Sequence, residues 1–201
     1  IPVAEEIGII SDIGDWVFRE AVKQAGLWRA AHSEKFQISV NVSPLQLQGS
    51  SGIPETWCEH LKTLGLPGQC IVVEITEGLL LDASPNVVNK LLGFRDSGIE
   101  VSLDDFGTGY SSLSYLNKFD IDYLKIDQSF VRNLTLGADD VALCEAIIVM
   151  AHKLGLKVVA EGVESLAQRD LLAQAGCDYV QGYLYTEALS AEEFEELFKR
   201  C

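Results

Sequence analysis

The chain has 201 residues, and 15 Lys and Arg against 30 Asp and Glu give a formal charge of −15 with histidine neutral. With 48% hydrophobic and 22% charged residues it can bury the core of one large or two small domains, which excludes disorder as the main state. The acid excess excludes a basic face tracking the phosphates of duplex nucleic acid, so any phosphate ligand would need metal ions between it and the protein.

Ile1 opens the chain without a basic n-region or an apolar h-region, so the chain is expected to start inside a longer protein. No apolar run approaches the ~18 residues of a membrane span, so no membrane contact by this domain is expected. Cys58, Cys70, Cys144, Cys177 and Cys201 are scattered and odd in number, which fits a reducing cytosol better than a disulfide framework or a zinc site. The expected place is cytoplasmic, alone or as the cytoplasmic part of a membrane-anchored sensor. His32, His60 and His152 are equally dispersed, so metal chemistry would run on oxygen ligands.

In chain order, strands are predicted at Gln37 to Val42, Cys70 to Thr76, Glu100 to Asp104, Tyr123 to Asp127, Lys157 to Ala160 and Asp178 to Gln181. They are mostly apolar on both faces, as parallel strands covered by helices should be. Between the second and third, Ser84 with Pro85 opens a helix that Gly98 closes. The stripe Val141, Cys144, Ile148, Ala151 and Leu154 is a helix core ending at Gly155. Ser165 with Gln168, and Ser190 with Glu193, have capping-box spacing, and Gly176 closes the helix between them. The unit of helix, glycine, short turn, strand and polar strand end recurs, which means a doubly wound sheet or a (β/α)8 barrel. No GxGxxG follows the first strand, and Gly107-Thr108-Gly109 lacks the third glycine of a nucleotide fingerprint. Six strands are about two short of a barrel, and the deficit is expected upstream of Ile1; either the partner strands come from elsewhere, or the barrel is open beside the strand at Gln37 to Val42.

In such a barrel the strand C-termini converge on one face. They deliver Asn41, Glu74, Asp104 with Asp105, Lys125 with Asp127, Glu161 and Gln181, mostly oxygen donors suited to Mg²⁺ or Mn²⁺. Most have an ordinary alternative. Asn41 in Asn-Val-Ser-Pro also reads as a turn, Asp104 and Asp105 as caps, Lys125 as half of a buried ion pair, Glu161 as an N-cap and Glu164 as helix-start chemistry. Glu74 stands among apolar residues in IVVEIT, where a lone carboxylate is costly unless paired or metal-bound.

The motifs NVSP, EITE, DDFGTGYSSL, LKID, AEGVE and QGYLY, in this order over nearly the whole chain, resemble the EAL domain of bacterial cyclic di-GMP phosphodiesterases. The resemblance implies a (β/α)8 TIM-like barrel, here with six of eight strands, over residues 1–201. It implies hydrolysis of cyclic di-GMP to linear pGpG with two Mg²⁺ or Mn²⁺ ions. Position by position, Asn41, Glu74 and Asp104 match metal ligands, Asp104 bridging, while Asp105 and Glu161 match the surroundings of the second metal. Lys125 matches the lysine near the attacked phosphate, and Asp127 its neighbour in the metal and water network. Glu77 matches the glutamate that holds the loop from Phe106 to Ser112, and Gln181 and Glu164 match the rim of the substrate site. A homodimer is expected, fused in the full-length protein to sensory or GGDEF-type modules.

Two features depart from the family pattern. The Glu-Ala-Leu motif and the arginine after it belong to a strand that this chain lacks, so the chain by itself is expected to hydrolyse cyclic di-GMP poorly or not at all. Tyr185, Thr186, Glu187 and Ala188 stand where the family continues with Lys-Pro. A non-catalytic cyclic di-GMP receptor is the alternative. An enolase-like Mg²⁺ barrel would explain the carboxylates but not DFGTGYSS.

Overall fold

The computed structural model describes residues 1–49, 52–81, 84–108, 116, 119–134 and 139–199. The chain forms two compact units, Ile1–Leu124 and Lys125–Cys201.

In the first unit, helices α1 (Pro2–Glu6) and α2 (Ile10–Ala31) precede strand β1 (Ile38–Asn41). Then follow α3 (Pro44–Gln48), α4 (Ile53–Thr63), a 3-10 turn at Gly68–Cys70, β2 (Ile71–Thr76), α5 (Glu77–Leu81), α6 (Pro85–Asp96) and β3 (Glu100–Phe106). Strand β4 (Tyr123–Ile126) crosses from the first unit into the second, which continues with α7 (Gln128–Arg132), α8 (Asp139–Lys153), β5 (Lys157–Ala160), α9 (Leu166–Gln174), β6 (Tyr179–Val180) and α10 (Ala191–Phe198). The sheet order is β1-β2-β3-β4-β5-β6, with β1 and β6 as its terminal strands. The ladders of β1 with β2, β2 with β3 and β5 with β6 are parallel. None of the described helices is long and apolar enough to cross a membrane.

The local chemistry explains the elements. β2 is buried from Ile71 to Ile75, as a strand covered on both faces must be. α2 buries Ile10, Gly14, Phe18, Val22 and Ala25, the recurrence of one helical face. On that face the Phe18 ring stacks on Trp57 of α4 with centroids 4.0 Å apart, and Trp57 in turn meets Phe94 of α6 at 5.9 Å. α6 opens as predicted: Ser84 is its N-cap, accepting from Val87 N, with Pro85 in its first turn. Gly98, at φ +75°, supplies the left-handed residue beyond its end. The capping boxes at Ser165 and Ser190 are both formed.

Only β5 keeps its expected bounds: β1 is shorter by Gln37 and Val42, β2 by Cys70, which ends the 3-10 turn, and the other three strands also differ. β3 runs on to Phe106, β4 stops at Ile126 because Asp127 turns to cap α7, and β6 is confined to Tyr179–Val180. Asp178 is lost from the ladder because its side chain takes the bond instead, Oδ2 accepting from Val158 N at 2.8 Å.

Candidate metal and phosphate site

In the first unit the register fixes which side chains share a face. Asn41 of β1 is opposite Glu74 of β2, and Glu74 is opposite Ser102 of β3. Partners in a parallel ladder point to the same side, so Asn41, Glu74 and Ser102 form a row, and Asp104 lies one step further along β3 on that side. Asn41 is exposed, Asp104 half-buried and Glu74 only 7% exposed. A carboxylate so placed needs charge or hydrogen-bond compensation.

Asp105 would normally face away from Asp104, since successive strand residues alternate. Its backbone is instead left-handed at φ +56°, the only positive φ outside glycine among the described residues. That twist lets the Asp104 and Asp105 carboxylates offer oxygens within 4.8 Å of each other. The Asp104 Oδ1 also accepts from Asp105 N at 3.0 Å, and the Thr108 hydroxyl donates to Asp105 O at 2.9 Å. Two carboxylates held this close favour a bound cation over mutual repulsion.

Glu77 begins α5 immediately after β2, is buried, and its Oε2 accepts from Gly107 N at 3.2 Å. It therefore reaches the start of the loop it was expected to hold; residues 109–115 of that loop lie outside the described residues. The segment after Asn41 is held from α6. Asn86 Nδ2 and Lys90 Nζ donate to Gly49 O at 3.0 and 2.7 Å, just beyond α3. Burial pushes the Lys90 ammonium below its ordinary pKa, partly countered by Glu55. A cleft of about 560 Å³ beside β1 reaches Asn41, Ser43 and Thr76 but neither Glu74 nor Asp104. Its walls are mainly aliphatic, so the polar row, not the cleft, carries the chemistry.

In the second unit Lys125 of β4 and Glu161, just after β5, form an ion pair with Nζ to Oε1 at 2.5 Å and side chains 5% and 19% exposed. Glu161 N donates to Ile126 O at 3.1 Å, which fixes the two strand ends side by side. Glu161 is thus not a helix cap; Ser165 caps α9. Gly162, at φ +69°, makes the turn after it, and a Cβ there would stand 2.6 Å from the Cβ of Gln128. Asp127 is buried and its Oδ1 accepts from Ser129 N at 3.0 Å as the N-cap of α7. Glu164 and Gln181 are exposed. Glu164 N donates to Gln168 Oε1, and Gln181 N to Ala160 O, so both are placed through their backbone. Sequence reasoning passed over Ser102, because a serine within a strand carries no periodic or spacing signal.

The family model of the EAL domain matches residues 1–188. The signaling protein YkoW of Bacillus subtilis is 42% identical over 198 residues, which cover 98% of this chain and 24% of YkoW. A solved structure of the PaMucR phosphodiesterase in complex with c-di-GMP is 37% identical with a TM-score of 0.88, covering 96% of this chain and 84% of that one. A manganese and cy-diGMP complex of Klebsiella pneumoniae BlrP1 is 28% identical with a TM-score of 0.76, covering 89% of this chain and 44% of that one. The chain spans about a quarter of the length of the curated relatives it matches.

Proposed function

The chain belongs to the EAL domain family, whose fold is a TIM-like barrel, and from that membership we propose that it hydrolyses one phosphodiester bond of cyclic di-GMP to give linear pGpG. The observation that supports this best is the row of Asn41, buried Glu74 and Asp104 on one face of three parallel strands, with the Asp105 carboxylate twisted toward Asp104. This set of hard oxygen donors fits Mg²⁺ or Mn²⁺ and not a thiol- or imidazole-seeking ion.

In the proposed site Asn41, Glu74 and Asp104 would hold one of two divalent cations, and Asp105 and Glu161, with Asp104, would serve the second. When bound, such a pair of ions acidifies a water and stabilises the attacking and leaving oxygens of an in-line displacement. Lys125 adds fixed positive charge for the phosphoryl oxygens, where its pairing with Glu161 keeps the ammonium oriented before substrate arrives. Asp127 keeps the end of β4 in place through its cap, and Glu77 holds Gly107. Gln181 and Glu164, being exposed, are assigned to the rim that meets the nucleotide.

The length of the relatives supports a place for this domain within a larger multidomain protein, with sensory or GGDEF-type modules as the proposed neighbours and a cytoplasmic setting. The test is to incubate the chain with cyclic di-GMP and Mg²⁺ or Mn²⁺ and to measure pGpG by chromatography. The expected result is turnover that Asp104→Asn abolishes, weak in the chain by itself and stronger in a form that adds the Glu-Ala-Leu strand. Tight binding of cyclic di-GMP without pGpG would establish the receptor alternative, and neither binding nor turnover would defeat both.

A further inference from the structure

Ser102 lies in β3, 2% exposed, and its hydroxyl has no hydrogen-bond partner among the described residues. A buried hydroxyl in that condition carries the cost of its lost hydration. Its position is the middle of the polar face: register partner of Glu74 and two residues before Asp104 on the same strand.

We propose that Ser102 is a positioning residue for the bound cation, its hydroxyl donating to the Glu74 carboxylate when that carboxylate ligates the ion. The inference rests on the metal-dependent function proposed above. Among the described residues on this side of β2 and β3, Glu74 is chosen by position. Glu100 and Asp104 each lie two residues along the strand from Ser102, ~6–7 Å away at the Cα. Glu74 is the direct ladder neighbour, ~4.8 Å away at the Cα. A carboxylate with one oxygen on a cation keeps acceptor capacity on the other, and a donor there fixes the direction in which the ligating oxygen points. The hydroxyl brings no charge, so it orients Glu74 without weakening its attraction for the ion.

The experiment compares wild type with Ser102→Ala, reading Mn²⁺ affinity by calorimetry and thermal unfolding with and without Mn²⁺. The expected result is Mn²⁺ binding weakened by ~10-fold, the lower end of the range for lost outer partners of metal ligands. The metal-free unfolding midpoint should be unchanged or raised, because removing an unpartnered hydroxyl breaks no bond. A lowered metal-free midpoint with unchanged affinity would show that the hydroxyl serves the fold through a buried water, and no change in either would show that it is idle; both overturn the inference. If wild type itself takes up no Mn²⁺, the metal-dependent function fails first, and the inference falls with it.

Discussion

Asp105 concentrates the conflict between fold and site in a single backbone angle. A left-handed conformation costs an L-residue roughly 1–2 kcal/mol, less for Asp than for most, and strain of this kind collects where function demands it. Asp105→Gly should therefore leave the urea midpoint near wild type, because glycine accepts φ +56° freely, while Mn²⁺ affinity falls by ~10-fold or more. A large loss of stability with unchanged affinity would show that the twist serves the fold alone. Glu161→Gln makes the opposite prediction. It removes a carboxylate from a nearly buried ammonium, so unfolding free energy should drop on the order of 3 kcal/mol in urea titration, together with turnover. The pair of aspartates before a glycine was legible in the sequence as a site. The angle that brings their carboxylates together was not, because one residue's departure from the strand conformation leaves no periodic trace. Ser102 was invisible for a related reason: its interest lies in what fails to contact it.

At the scale of elements, β4 and β6 start alike. Each is preceded by an aspartate and opens on a tyrosine, and each aspartate accepts from the backbone of the strand before: Asp122 Oδ2 from Val101 N and Asp178 Oδ2 from Val158 N, both at 2.8 Å. Burial pushes the Asp178 carboxyl up, but bonds from His152 and from Val158 N outweigh it and hold the pKa below the ordinary carboxylate range. A carboxyl depressed in the folded state contributes stability above its unfolded pKa of about 3.9 and loses it as pH falls through the lower folded value. Asp178→Asn should therefore flatten the stability profile below about pH 4 and leave the neutral-pH slope unchanged, as measured by denaturant titration across pH. The six strands were legible because their apolar runs are bounded by glycine and capping residues. α2 carried no such signal, since Ile9 at its N-cap makes no side-chain bond. Its burial of one face against β1, α3 and α4 is a tertiary outcome that no cap announces.

For the molecule as a whole, alkali is the predicted weakness. Burial raises the thiols of Cys144 and Cys177 to about 11 each, with nearby Asp140 adding to the first and backbone donors easing the second. A thiol raised in the folded state gives stability that is complete below its unfolded pKa of about 8.5 and is lost as pH climbs from there toward the folded value. Stability should therefore fall between about pH 8.5 and 11, and Cys144→Ala should make that fall shallower; an unchanged slope would exclude the thiol as its source. The order of the sheet has a different consequence, for the way the molecule comes into being. Strands stand beside one another in the sequence in which they are made, from β1 to β6. No early strand must wait for a late one to be threaded in beside it, so each newly synthesised helix and strand can dock on a finished edge as it leaves the ribosome, and assembly proceeds by short loop closures in the direction of translation.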